Sequence, residues 1–188
     1  MLFRSNADAL YLLGIITALT GRSEEALSLI EKAIRINPGA AEYHYNLGEL
    51  LRARGRIDDA LAAYEQVIRL NPRHAEAYVG LGNVLQAKGT YAGAASAYEQ
   101  ALQLRPDSAE IYNDLGIVLQ AQGKLNEAIT ALESAHRLLP TSALVHYNLG
   151  NALQAQGRLA EAVAVYRHAL TLYERGESRD QEIGRAHV

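Results

Sequence analysis

Shifted along itself by 34 positions, the sequence brings all four of its prolines into register: Pro38, Pro72, Pro106 and Pro140. The same shift aligns Gly14, Gly48, Gly82, Gly116 and Gly150, then Gly21, Gly55, Gly89, Gly123 and Gly157, then Ala26, Ala60, Ala94, Ala128 and Ala162. Ten of the fifteen glycines therefore hold a fixed address in a repeat. No other feature constrains folding as strongly. A unit of this length cannot bury its apolar face alone, so it must stack on its neighbours as a solenoid.

The leucine–glycine pair Leu47-Gly48, followed by Gly55, Ala60, Tyr64 and Pro72, resembles the tetratricopeptide repeat, a helix–turn–helix of the length found here. The likeness covers Ala7 to Gly176 as five units: 7–40, 41–74, 75–108, 109–142 and 143–176. It implies an all-α fold, a right-handed superhelical solenoid of five helix–turn–helix repeats.

Within a unit, apolar Tyr43, Leu47, Leu50 and Leu51 recur at helical spacing and predict a first helix over Ala41 to Arg54. Gly55 ends it. A second helix is expected from Asp58, as its cap, to Leu70. The following Asn71-Pro72 stops it, because the residue before a proline is pushed out of helical geometry. Gly48, Ala60 and their equivalents read as packing residues that let the two helices of a unit cross closely. In the last unit Glu174 stands where the others have proline, so its second helix is expected to continue to about Arg175.

The two ends look foreign to this pattern. Leu2-Phe3-Arg4-Ser5 and Ile183-Gly184-Arg185-Ala186 can be encoded by the two strands of one common short-read sequencing adapter. Residues 1–5 and 183–188 are accordingly expected to be scars, with 177–188 a tail outside the repeats. On this reading the biological sequence runs from about Asn6 to about Gln181 and is an internal piece of a longer protein.

Composition narrows the function. The chain of 188 residues is 49% hydrophobic and 21% charged, with a formal charge of −3 and its basic residues scattered singly, which argues against a nucleic-acid partner. No apolar run reaches the ~18 residues of a membrane span. The absence of cysteine excludes disulfides and thiolate metal sites, and is compatible with a cytoplasmic setting.

Catalytic and cofactor motifs are not found. Gly80-Leu81-Gly82-Asn83-Val84-Leu85 begins like a dinucleotide fingerprint, but the third glycine is replaced by Leu85 and no strand precedes it. The six histidines show no paired helical spacing, and His44 and His146, at one repeat position, are three units apart. Acidic pairs such as Glu24-Glu25 and Asp58-Asp59 fall in first turns, where they favour the helix dipole. No serine lies in a nucleophile-elbow pattern. No cofactor, no metal and no enzymatic activity are expected of this chain.

The informative stripe is the outer face of each first helix, which lines the concave surface in solenoids of this kind. The candidate groove residues are Glu42, Tyr45, Asn46, Glu49 and Arg52, then Glu76, Asn83 and Gln86, then Asn113, Asp114 and Gln120, and finally Tyr147, Asn148, Asn151 and Gln154. Side-chain amides dominate, and an amide can both donate to and accept from the backbone of an extended peptide. The expected partner is a protein or peptide. Self-association is also expected, through an uncovered face of the last repeat carrying Val163, Tyr166, Leu170 and Leu172.

Family resemblance refines this. Members that clamp a terminal carboxylate carry basic residues where this chain has Tyr45, Glu76 and Gly80, which argues against that activity. Asn46 and Asn148 are similar to the asparagine ladder in the repeat arm of O-linked N-acetylglucosamine transferases. Asp114, Gly80 and Leu12 depart from it. The resemblance therefore leaves a second expectation, a substrate-docking arm of a multidomain O-linked glycosyltransferase.

Overall fold

Glycines and the four prolines with the residues before them cut the chain into short helices in the computed structural model, which describes the backbone of residues 2–176 and the side chains from residue 6. Among the described residues there are ten helices and no strand. None of these helices is long and apolar enough to cross a membrane. The chain divides into two units, Met1–Thr90 and Tyr91–Val188. The first holds α1 (Leu2–Leu19), α2 (Ser23–Ile36), α3 (Ala41–Ala53), α4 (Ile57–Leu70) and α5 (Ala75–Ala87). The second holds α6 (Tyr91–Leu104), α7 (Ala109–Ala121), α8 (Leu125–Leu138), α9 (Ala143–Ala155) and α10 (Leu159–Glu174). The tail 177–188, including the expected scar at 183–188, lies outside the described residues. α1 starts at Leu2, so its backbone runs through positions 2–5, which the sequence reading set aside as foreign.

The repeat glycines end the first helices as expected. Gly55 adopts φ +71°, its amide donates to Arg52 at 3.0 Å, and the amide of Arg56 donates back to Leu51 at 2.9 Å. This two-bond closure satisfies carbonyls that the helix end would otherwise leave open, and the left-handed conformation at its apex favours a residue without Cβ. The start of the second helix differs from the expectation. α4 begins at Ile57 with Arg56 at its cap and no side-chain bond there. Asp58 is instead in the first turn and pairs across to Lys88. True side-chain caps occur on first helices, where Ser142 Oγ accepts from the amide of Val145 at 3.2 Å.

The invariant small positions are buried throughout: Ala26, Ala60, Ala94 and Ala128 are fully buried, and Ala162 nearly so. Gly14, Gly48, Gly116 and Gly150 of the first helices each face the bulky residue of their own second helix. A Cβ built on Gly116 would stand 2.5 Å from Cγ of Leu132, and one on Gly150 would stand 2.5 Å from Cε1 of Tyr166. In the first unit Tyr64, fully buried, is flanked by two such glycines. Gly48 of its own hairpin and Gly80 of the next helix would place a Cβ 2.9 and 2.5 Å from its Cε1. Gly80, read from sequence only as part of a failed fingerprint, is therefore a packing residue.

α10 runs to Glu174, two residues longer than the 14-residue second helices, in line with the missing proline. Its exposed large apolar residues are Leu159, Val163, Leu170 and Tyr173, whereas Leu172 is buried and Tyr166 half-buried, so only part of the expected uncovered face is open.

Candidate functional site

First helices carry the candidate residues because the helical period brings every third or fourth position onto one face. In the first unit these are α3 and α5. Arg52 Nη2 bonds Glu49 Oε2 at 2.9 Å, and the Tyr64 hydroxyl donates to Glu49 Oε1. Hydrogen bonding to Glu49 holds the Arg52 guanidinium above its ordinary range, while burial and then the Glu49 carboxylate push Tyr64 up. The Tyr45 ring lies 4.9 Å from the imidazole of His74, centroid to centroid, and burial raises its hydroxyl, followed by the charges of Glu49, Glu76 and Glu42. His74 Nδ1 stands 3.3 Å from Glu76 Oε2. Asn83 and Gln86 lie on α5, and both are already engaged in interactions.

Asn46 is also engaged. Its Nδ2 donates to the Tyr11 hydroxyl at 2.8 Å and to the Glu42 carbonyl at 3.0 Å. The partner Tyr11 is 35 positions earlier, one more than the repeat period, so the bond ties one hairpin to the next. The second unit repeats this bond at the same spacing. Asn148 Nδ2 donates to Asn113 Oδ1 at 2.8 Å, and both side chains are buried, 9% and 6% exposed. Asn46, Asn113 and Asn148 thus use hydrogen bonds to join neighbouring hairpins.

The remaining second-unit candidates lie on α7 and α9. Asn113 Nδ2 donates to Asp114 Oδ1 at 3.3 Å, and burial pushes the half-buried Asp114 carboxyl up to about 6, assisted by the like charge of Glu110. The Tyr166 hydroxyl stands 2.7 Å from Asn151 Oδ1 and 2.9 Å from Gln154 Oε1, with the exposed Tyr147 ring 6.0 Å away. Ile117, Gln120, Ala121, Asn148 and Asn151 line an open hollow of about 390 Å³. Three of these five are candidate groove residues, so the structure brings Gln120, Asn148 and Asn151 together at one place.

Sequence reading missed a histidine cluster. His136 of α8 and His168 of α10 each place a ring 4.6 Å from that of His146 on α9. The three come from different helices, so no local spacing announces them. Among the described residues no group of three or more His, Cys, Asp or Glu side chains could hold a metal ion.

A comparison with curated protein sequences finds no match. Solved structures do match. A structure titled "MamA 41-end from Desulfovibrio magneticus RS-1" superposes with a TM-score of 0.88 at 24% identity, over 92% of this chain and 98% of that one. "Crystal structure of MamA" gives 0.84 at 26% identity, over 87% and 96%. YrrB, titled "a TPR protein with an unusual peptide-binding site", gives 0.78 at 20% identity, over 87% and 84%. Two family models, each described as the tetratricopeptide repeat, match residues 45–109 in one case and 5–73 with 107–175 in the other. The chain belongs to the tetratricopeptide repeat family.

Proposed function

We propose that the chain is a protein-binding scaffold that holds an extended peptide segment along the outer faces of its first helices. The observation that supports this reading best is the hollow of about 390 Å³ between α7 and α9, where an apolar floor of Ile117 and Ala121 lies beside the amides of Gln120 and Asn151. Apolar surface contributes affinity, and a few placed amides orient a backbone. Family membership is consistent with a binding role, and YrrB is described as having a peptide-binding site.

On this face the shifted groups are held by neighbours: Arg52 is bonded to Glu49, and the raised Asp114 carboxyl accepts from Asn113. Binding without chemistry is the role these residues fit. To test it, peptides are selected from a random displayed library and their affinities measured for the parent and for Gln120→Ala. One lost neutral hydrogen bond of about 0.5–1.5 kcal/mol should weaken binding roughly 2- to 12-fold. Failure to select any peptide, or peptides indifferent to both Gln120→Ala and Ile117→Ala, would defeat the reading.

A further inference from the structure

A second hollow, of about 280 Å³, opens between the first turns of α7 and α9. One side is apolar, made by Leu139, Leu144 and Val145, and the other carries Glu110, Asn113 and Asp114. Its volume is below the range of about 300–1,000 Å³ common for small-molecule sites and suits a single side chain. Resting on the scaffold reading above, we propose that this hollow receives a lysine or arginine side chain of the bound partner, with the apolar wall packing its stem and Asp114 and Glu110 taking its charge.

Several independent observations converge on it. Asp114 is half-buried and accepts a hydrogen bond from Asn113 at 3.3 Å. Glu110 and Asp114 line the same hollow, so two carboxylates of one helix face a single entering group. A partly desolvated carboxylate is costly, and a like charge one turn away on the same helix adds to the cost. A cation entering the hollow would remove both penalties. The carboxylate is also held in place: Asn113, which donates to Asp114, is itself fixed by the buried bond from Asn148. Long basic side chains bury apolar stems while keeping the charged end against a polar group, which is the pattern of this lining. A terminal carboxylate, the ligand of the basic clamps in related repeats, would be repelled here.

The test uses the whole chain and a small probe. Amide resonances are followed by NMR during titration with N-acetyl-argininamide and, separately, with the uncharged N-acetyl-norleucinamide. The argininamide should produce saturable shifts at the first turns of α7 and α9 in the millimolar range, and norleucinamide at least tenfold weaker ones. Asp114→Asn, with an otherwise unchanged spectrum, should weaken argininamide at least tenfold. Equal shifts from the two probes, shifts spread over all surface carboxylates, or unaltered binding by Asp114→Asn would overturn the proposal. The scaffold reading fails separately: selected peptides that depend on Gln120 but not on Asp114 would remove the cation site and leave the scaffold standing.

Discussion

Asn148 on α9 donates its side-chain amide to Asn113 on α7 across 2.8 Å, with both groups withdrawn from solvent. The pair does in the second unit what Asn46 and Tyr11 do in the first, binding consecutive hairpins at a spacing of 35 residues. Polar residues on this face thus serve cohesion between repeats before they serve a ligand.

It follows that Asn148→Ala should destabilise the protein. A buried acceptor left without its donor costs about 1–3 kcal/mol. The double variant Asn113→Ala with Asn148→Ala removes both partners together and should cost less than the sum of the two single changes to alanine. Urea unfolding of the singles and the double checks this, and strict additivity would show that the bond contributes nothing.

A second prediction concerns the glycine seat of Tyr64. Gly80→Ala gains about 1 kcal/mol of helix propensity but forces a methyl group against a fully buried ring, a strain of about 1–3 kcal/mol. The net effect should be a lower melting temperature. In a Tyr64→Leu background the ring is gone, and Gly80→Ala should become neutral or stabilising. Leu132 already holds the equivalent place in the second unit, with Asn148 where Gly80 stands in the first.

These two cases mark how far the sequence could be read. The period located Gly48, Ala60 and the end of α10, because packing in a repeat is copied with the period and shows as identical residues in register. The bonds Asn46–Tyr11 and Asn148–Asn113 were not visible, since they join different repeat positions one residue out of phase and use different residue types at each joint. The packing role of Gly80 was not visible because its reason, Tyr64, is a neighbour in another hairpin. The histidines of α8, α9 and α10 meet only in three dimensions, and no pattern along the chain brings His136, His146 and His168 together.

Asp114 gives a pH prediction. Burial raises its folded-state pKa from the ordinary 3.8 to about 6, so the folded protein holds this proton more tightly than the unfolded chain. Its stability contribution is therefore fully present below about pH 4 and is lost as pH rises through 6. Tyr98 and Glu110, whose interactions with Asp114 are electrostatic, do not change its sign: the carboxylate of Glu110 also disfavours ionisation, and Tyr98 stays neutral because burial raises it. Asp114→Asn should thus stabilise at pH 7 by about 1–2 kcal/mol, with allowance for partial exposure, and leave stability at pH 4 nearly unchanged. Thermal unfolding at the two pH values checks this, and an equal effect at both would refute it.

The exposed apolar face of α10 supports a proposal of self-association. Val163, Leu170 and Tyr173 are each about half exposed or more, at 48%, 57% and 63%. Sedimentation should show concentration-dependent association that Val163→Lys with Leu170→Lys abolishes while helix content is retained. A parent chain that stays monomeric at high concentration would exclude it.

The scaffold account is tested most directly by mapping where a selected peptide lies. NMR shifts of the full chain on addition of that peptide should fall on the face of α7 and α9 that carries Gln120 and Asn151, and leave the second helices α8 and α10 largely unmoved. Shifts concentrated on α8 and α10, or none at all at saturating peptide, would contradict it.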